Sequence, residues 1–300
     1  MAEDCSLLEW EACSFDPVNV TELHVAVPGG ELVGYVKGDG PPVLLLHGGP
    51  GLRSTYMEDL VDELTPGYRI ALYQQRSLAP STTVGPFTVE MHVADVEAVL
   101  DELGWSRAYV VGHSWGGYLM LAAISQYGDR FVAGVGVDSI GVIGDGGIAE
   151  FERAIDARTP PNVRERADEL DQRALAGEAT EAESLESFRL VWPAYFADPD
   201  SAPPMPELQI SLKGYSETLA SMEDGRSALA SALQDVKVPI LLMYGIESPI
   251  PATASTDLAV YMPYTDAEAI ADVGHYLWME EPGVVRTALD RLVTSVSHPI

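Results

Sequence analysis

The residues best placed by type and spacing to do chemistry are Gly112-His113-Ser114-Trp115-Gly116, extended by Gly117. A serine flanked by glycines in the pattern G-x-S-x-G marks a tight turn between a strand and a helix, a nucleophile elbow, which holds the hydroxyl out for attack on a carbonyl. The glycines are needed because a Cβ at either flank would collide with the neighbouring elements, and the turn itself is strained. The flanking sequence fits: strand-like Ala108-Tyr109-Val110-Val111 precedes the motif and a helical pattern follows. A helix starting there points its positive N-terminal dipole at the reacting centre.

A second constellation, His47-Gly48-Gly49-Pro50-Gly51, closes the apolar run Val43 to Leu46. Glycines here let backbone N–H groups approach a substrate oxygen. An oxyanion hole beside an elbow takes one amide from the residue after the nucleophile, here Trp115, and one from such a loop, here Gly49. Each donor of this kind is worth roughly 3 to 4 kcal/mol in the transition state.

Strand and helix signals must supply the frame for these loops. Residues 21–37 read as a hairpin about Pro28-Gly29-Gly30. Short continuous apolar runs at Val43–Leu46, Arg69–Tyr73, Ala108–Val111, Val132–Val137 and Ile240–Tyr244 read as strands buried on both faces, with a further strand at Ala267–Ala271. Helical periodicity occupies Tyr56–Leu64, Val89–Leu103, Tyr118–Tyr127, Ala252–Tyr261 and Pro282–Val296. Strands alternating with helices define an α/β class with a mostly parallel sheet covered on both faces. From 141 to 233 strand runs give way to amphipathic segments rich in Glu, Asp, Arg and Ala, expected to form a helical cap over the C-terminal strand ends, where open α/β sheets bind ligands. The expected organisation is an N-terminal extension, 1–20, a core of 21–140 and 234–300, and the cap inserted before the last two strands.

Composition removes several alternatives. The 300 residues, 47% of them hydrophobic, suffice for one large domain with an insertion. A net charge of −29 repels a phosphate backbone, so nucleic acid is not an expected partner. No stretch approaches the ~18 to 20 apolar residues of a membrane span. Cys5 and Cys13, the only cysteines, have neither CxxC spacing nor a histidine cluster, so no metal is expected; their pairing is left open. The acidic opening residues lack an apolar signal core, and the expected location is cytoplasmic. Neither dinucleotide nor P-loop glycine motifs occur, so no cofactor is expected. The expected partner is a small-molecule substrate.

The sequence HGGPG, then GHSWGG, then Gly274-His275-Tyr276-Leu277-Trp278-Met279-Glu280-Glu281-Pro282, resembles the α/β-hydrolase superfamily and, more closely, its proline iminopeptidase-like branch. The similarity covers Val25 to Ile140 and Val238 to Leu292. It implies an α/β-hydrolase fold and a Ser, acid, His order along the chain. Of the six histidines, only His275 follows the last strand in a flexible loop, and it is the expected general base. The acid departs from the pattern. Where the family reads close to G-x-x-D-P-I-P, this chain reads Gly245-Ile246-Glu247-Ser248-Pro249-Ile250-Pro251, with Ser248 in the aspartate position. Glu247, one residue early, is the first expectation for the acid, Asp138 at the end of the preceding strand is the alternative, and a weakened or absent acid is a third. A D-Q-R-G stretch of the family is here Gln74-Gln75-Arg76-Ser77, in which Arg76 is expected to anchor its loop. Together these residues point to a serine hydrolase of a small ester, lactone or amide. A proline iminopeptidase-type aminopeptidase and a non-catalytic ligand-binding protein are the alternatives.

Overall fold

A computed structural model describes residues 20–297. The extension and the two cysteines therefore lie, Val20 apart, outside the described residues. The strands are β1 (Val20–Val27), β2 (Gly30–Lys37), β3 (Pro42–Leu46), β4 (Arg69–Tyr73), β5 (Ala108–His113), β6 (Phe131–Val137), β7 (Ile240–Gly245) and β8 (Thr265–Ile270). They form one sheet in the order β1-β2-β4-β3-β5-β6-β7-β8. β1 and β2 make an antiparallel hairpin, β2 joins β4 antiparallel, and every other pairing is parallel.

The continuous apolar runs are strands with both faces covered. Leu44, Leu46 and Val110 enter the core on one face of the sheet, while Val43, Leu45 and Val111 enter the other, as the two-residue period of a strand requires. The helices are α1 (Glu58–Leu64), α2 (Val89–Glu102), α3 (Trp115–Tyr127), α4 (Ile148–Arg158), α5 (Pro161–Leu175), α6 (Glu181–Val191), α7 (Leu212–Leu233), α8 (Thr253–Tyr261), α9 (Leu277–Glu280) and α10 (Val284–Ser297). α3 begins three residues earlier than its periodicity suggested, directly at the elbow. Every residue from Trp115 to Ile124 is buried, because α3 lies between the sheet and the helices α2 and α7. A helix apolar all round carries no amphipathic edge to mark its start.

Helices α4 to α7 all lie between β6 and β7, within the span expected for the cap. Their ends are stapled to the core. The Leu52–Ile210 bridge and the Ser211 N–H to Gly51 carbonyl bond (2.8 Å) tie the start of α7 to the glycine loop after β3. The Ser211 hydroxyl also caps α7 by accepting from the Gly214 amide at 3.1 Å. Among the described residues no helix is long and apolar enough to cross a membrane.

Glu58, half-buried at the start of α1, accepts a 2.6 Å hydrogen bond from the Tyr35 hydroxyl. Burial dominates and raises its carboxyl pKa to about 7. A carboxyl raised in the folded state adds stability below its unfolded pKa, and that increment is lost as pH rises through about 7. Glu58→Gln should therefore gain stability relative to the parent between pH 5 and pH 8, measured by urea unfolding; a pH-independent difference would contradict the assignment.

Candidate active site

Ser114 sits at φ 55°, ψ −119°, a backbone conformation that costs a side-chain-bearing residue roughly 1 to 3 kcal/mol. The turn is held because the Ser114 N–H donates to the Val137 carbonyl at 3.0 Å, and its own carbonyl accepts from Gly117 (3.0 Å), Tyr118 (3.3 Å) and Ile140 (3.3 Å). The glycines are required as expected. A Cβ at Gly112 would lie 2.2 Å from the Gly116 carbonyl oxygen, and one at Gly116 would lie 2.0 Å from that of Leu46. His113 and Trp115 are buried while Ser114 keeps accessible surface.

The glycine loop approaches the elbow closely: a Cβ at Gly48 would stand 2.9 Å from the Ser114 Cβ. The Gly48 amide is already occupied, donating to the Tyr56 hydroxyl at 2.5 Å. Among the described residues neither the Gly49 nor the Trp115 amide makes a hydrogen bond, which leaves both able to receive a substrate oxygen. Gln75 locks the two loops together. Its side chain donates to the His47 carbonyl (2.8 Å) and accepts from the Trp115 indole (2.7 Å), while its backbone amide donates to His47 Nε2 (3.0 Å). Burial lowers the His47 pKa to about 4, which keeps that ring neutral and Nε2 an acceptor. Arg76 is an anchor, as expected, making two 2.5 Å bonds to Asp95 with both side chains buried.

The carboxylate at the histidine is Asp138. His275 Nδ1 lies 2.6 Å from Asp138 Oδ2, which also accepts from the Ser248 hydroxyl at 2.5 Å; Oδ1 accepts from the Gly245 amide at 3.2 Å. This corrects the first expectation. The Glu247 side chain is half exposed and pairs with Arg158 at 3.6 Å, because the turn after β7 directs residue 247 outward and residue 248 inward. Ser248, in the position where the family has aspartate, instead donates to the relocated carboxylate. Asp138 reaches it from the end of β6 with a left-handed φ of 45°. Burial disfavours charge on both partners, lowering the His275 pKa and raising that of Asp138, while the bonds from Ser248 and Gly245 oppose the rise on Asp138. With its Nδ1–H donating to Asp138, neutral His275 has Nε2 as its acceptor nitrogen.

Three further residues, none given a role by the sequence, support this end of the sheet. Glu280 accepts from the Gly274 amide (2.6 Å) and the Ala197 amide (2.8 Å), joining the histidine loop to the segment between α6 and α7. The Tyr195 carbonyl accepts from the His275 amide at 2.7 Å. Tyr56 bonds both Gly48 and His113. Of the other histidines, His24 pairs with surface glutamates, His92 packs against Trp115, and His298 lies outside the described residues.

Residues 41–282 match the family model described as the alpha/beta hydrolase fold, and the chain belongs to that family. Over 97 residues it is 35% identical to a proline iminopeptidase of Lactobacillus helveticus, an alignment taking in 30% of this chain and 33% of that relative. The chain thus spans about a third of the length of such curated relatives. The structure superposes on an esterase from Thermogutta terrifontis with a TM-score of 0.63 at 22% identity, covering 92% of this chain and 99% of that one. The proline iminopeptidase of Mycobacterium smegmatis gives a TM-score of 0.62 at 20% identity, covering 92% and 98%.

Asp138→Asn should lower turnover by on the order of 10³ to 10⁴, the scale seen when a triad loses its carboxylate, whereas Glu247→Gln should stay within about twofold of the parent. Steady-state kinetics on both variants decides it, and the reverse pattern would return the acid to Glu247.

Proposed function

We propose that this protein is a serine hydrolase that cleaves an ester, lactone or amide bond of a small molecule through an acyl-enzyme on Ser114. The observation that carries the reading is the buried Asp138–His275 pair on the loops after β6 and β8, at the same strand ends as the elbow. His275 Nε2 takes the Ser114 proton as the hydroxyl attacks the carbonyl. The Gly49 and Trp115 amides hold the oxyanion, and Asp138 stabilises the imidazolium that forms. His275 then returns the proton to the leaving group, and water repeats the sequence to release the acid. None of these steps draws on a cofactor.

A second reading, cleavage of an N-terminal residue from a peptide, is favoured by the cap. The Asp171 carboxylate bears electrostatically on both the Tyr195 and Tyr215 hydroxyls, and that of Glu152 on Tyr215. The Tyr195 ring lies 5.4 Å from the His275 ring. Carboxylates whose field reaches a ring packed on His275 suit a substrate ammonium.

A fluorophosphonate should label the wild-type protein and not Ser114→Ala; an unlabelled wild type would mean a ligand-binding protein on a hydrolase fold. Among labelled protein, short acyl esters should turn over at least tenfold faster in kcat/KM than proline anilide. The opposite ratio selects the aminopeptidase.

A further inference from the structure

Between the glycine loop and the histidine loop runs a buried chain of hydrogen bonds that the proposed acyl transfer does not use directly. It starts at the Gly48 amide, which donates to the Tyr56 hydroxyl at 2.5 Å. The Tyr56 oxygen is 2.9 Å from His113 Nδ1, and His113 Nε2 is 3.1 Å from the His275 carbonyl oxygen. Tyr56 is 6% exposed, His113 1% and His275 3%, so water is not available to replace any of these partners.

The two ends of the chain decide where the protons are. A backbone amide can only donate and a backbone carbonyl can only accept. Tyr56 therefore accepts from Gly48 and has its single proton left for His113 Nδ1, and His113 must carry its own proton on Nε2 to satisfy His275. Only the neutral Nε2–H tautomer of His113 completes the chain. Burial and the neighbouring His275 ring both push the His113 pKa well down, in keeping with that form.

We infer that Tyr56 and His113 are positioning residues, a neutral relay that sets the main chain of the oxyanion loop at a fixed distance from the main chain of the catalytic histidine. The inference rests on the serine-hydrolase reading. Gly48 adjoins Gly49, whose amide receives the oxyanion, and the relay ends on the backbone of His275 itself. The relay passes beside Ser114, since a Cβ at Gly48 would stand 2.9 Å from the Ser114 Cβ and His113 is its chain neighbour. The rings add shape to the linkage. His113 lies 4.5 Å from the His275 ring centroid, and Tyr56 stacks on Trp278 at 6.2 Å. Removing the Tyr56 hydroxyl leaves these ring contacts but strands one buried donor, Gly48 N–H, and one buried acceptor, His113 Nδ1. The loops are then free to shift, and displacements near 1 Å in a reacting geometry cost up to about a hundredfold in rate.

The test starts with fluorophosphonate titration of wild type, which separates failure of the hydrolase reading (no labelling) from failure of the relay. With active sites counted in this way, Tyr56→Phe should lose roughly ten- to a hundredfold in kcat on an acyl ester while KM stays within about twofold. His113→Gln should do the same, and the double variant should be no slower than the slower single, as expected for two members of one chain. A kcat per titrated site within twofold of wild type in Tyr56→Phe, or singles whose losses multiply in the double variant, overturns the relay. The wild-type protein supplies a readout that depends on no variant folding. Nitrogen-15 NMR of labelled histidine should show His113 neutral and protonated on Nε2 from pH 5 to pH 9, and a Nδ1–H tautomer or a titration in that range would equally overturn it.

Discussion

A carboxylate with no solvent exposure must have its oxygens satisfied by the protein, and at Asp138 that requirement organises the whole C-terminal edge of the sheet. Its three donors come from three places: the Gly245 amide at the end of β7, the Ser248 hydroxyl in the following turn, and His275 after β8. The Asp138 amide in turn donates to the Met243 carbonyl within β7. The loop after β6 is thereby fixed to two strands that arrive in sequence more than a hundred residues later. The parallel pairing of β6, β7 and β8 brings these groups together, and the hydrogen bonds of the buried Asp138 keep them there.

The same logic recurs at smaller scale. The loop that carries Gly49 is short of apolar side chains, so its position depends on polar groups buried around it. Gln75 and His47 tie it to the Trp115 indole, and Tyr56 ties it to His113. Beneath them Arg76 and Asp95 form a doubly bonded ion pair in the interior. Such a pair contributes little net stability against an apolar replacement, yet removing one partner costs roughly 3 to 5 kcal/mol, so it specifies one arrangement of the loop after β4. Neutral histidines serve this purpose well, because burial keeps the His47 and His113 rings uncharged and each nitrogen commits to donor or acceptor.

The inserted helices are joined to this network rather than resting on it. Ser211 and Ile210 extend the backbone of the glycine loop, and Glu280 and the Tyr195 carbonyl bind the loop that carries His275. Both the glycine loop and the loop that carries His275 are therefore tied to the segment between β6 and β7.

The sheet, the elbow and its two companion loops are legible along the chain because local rules govern them. Apolar runs of strand length report burial on both faces, and glycines at 112 and 116 report a turn with no room for a Cβ. The hydrolase family is legible for the same reason, since HGGPG and GHSWGG are contiguous. The acid is not. Glu247 and Ser248 are adjacent residues, and which of them faces His275 depends on the direction of one turn, while Asp138 reaches the ring from another strand across a gap of 137 residues. The roles of Gln75, Tyr56 and Glu280 were not legible either: Gln75 and Glu280 lie in stretches that resemble the family, but a hydrogen bond between distant segments leaves no mark of its partner in either one. The turn at Ser114 was thus determined by local sequence, whereas the partner of His275 was decided only when the parallel sheet placed the ends of β6, β7 and β8 side by side and burial required the Asp138 oxygens to be paired.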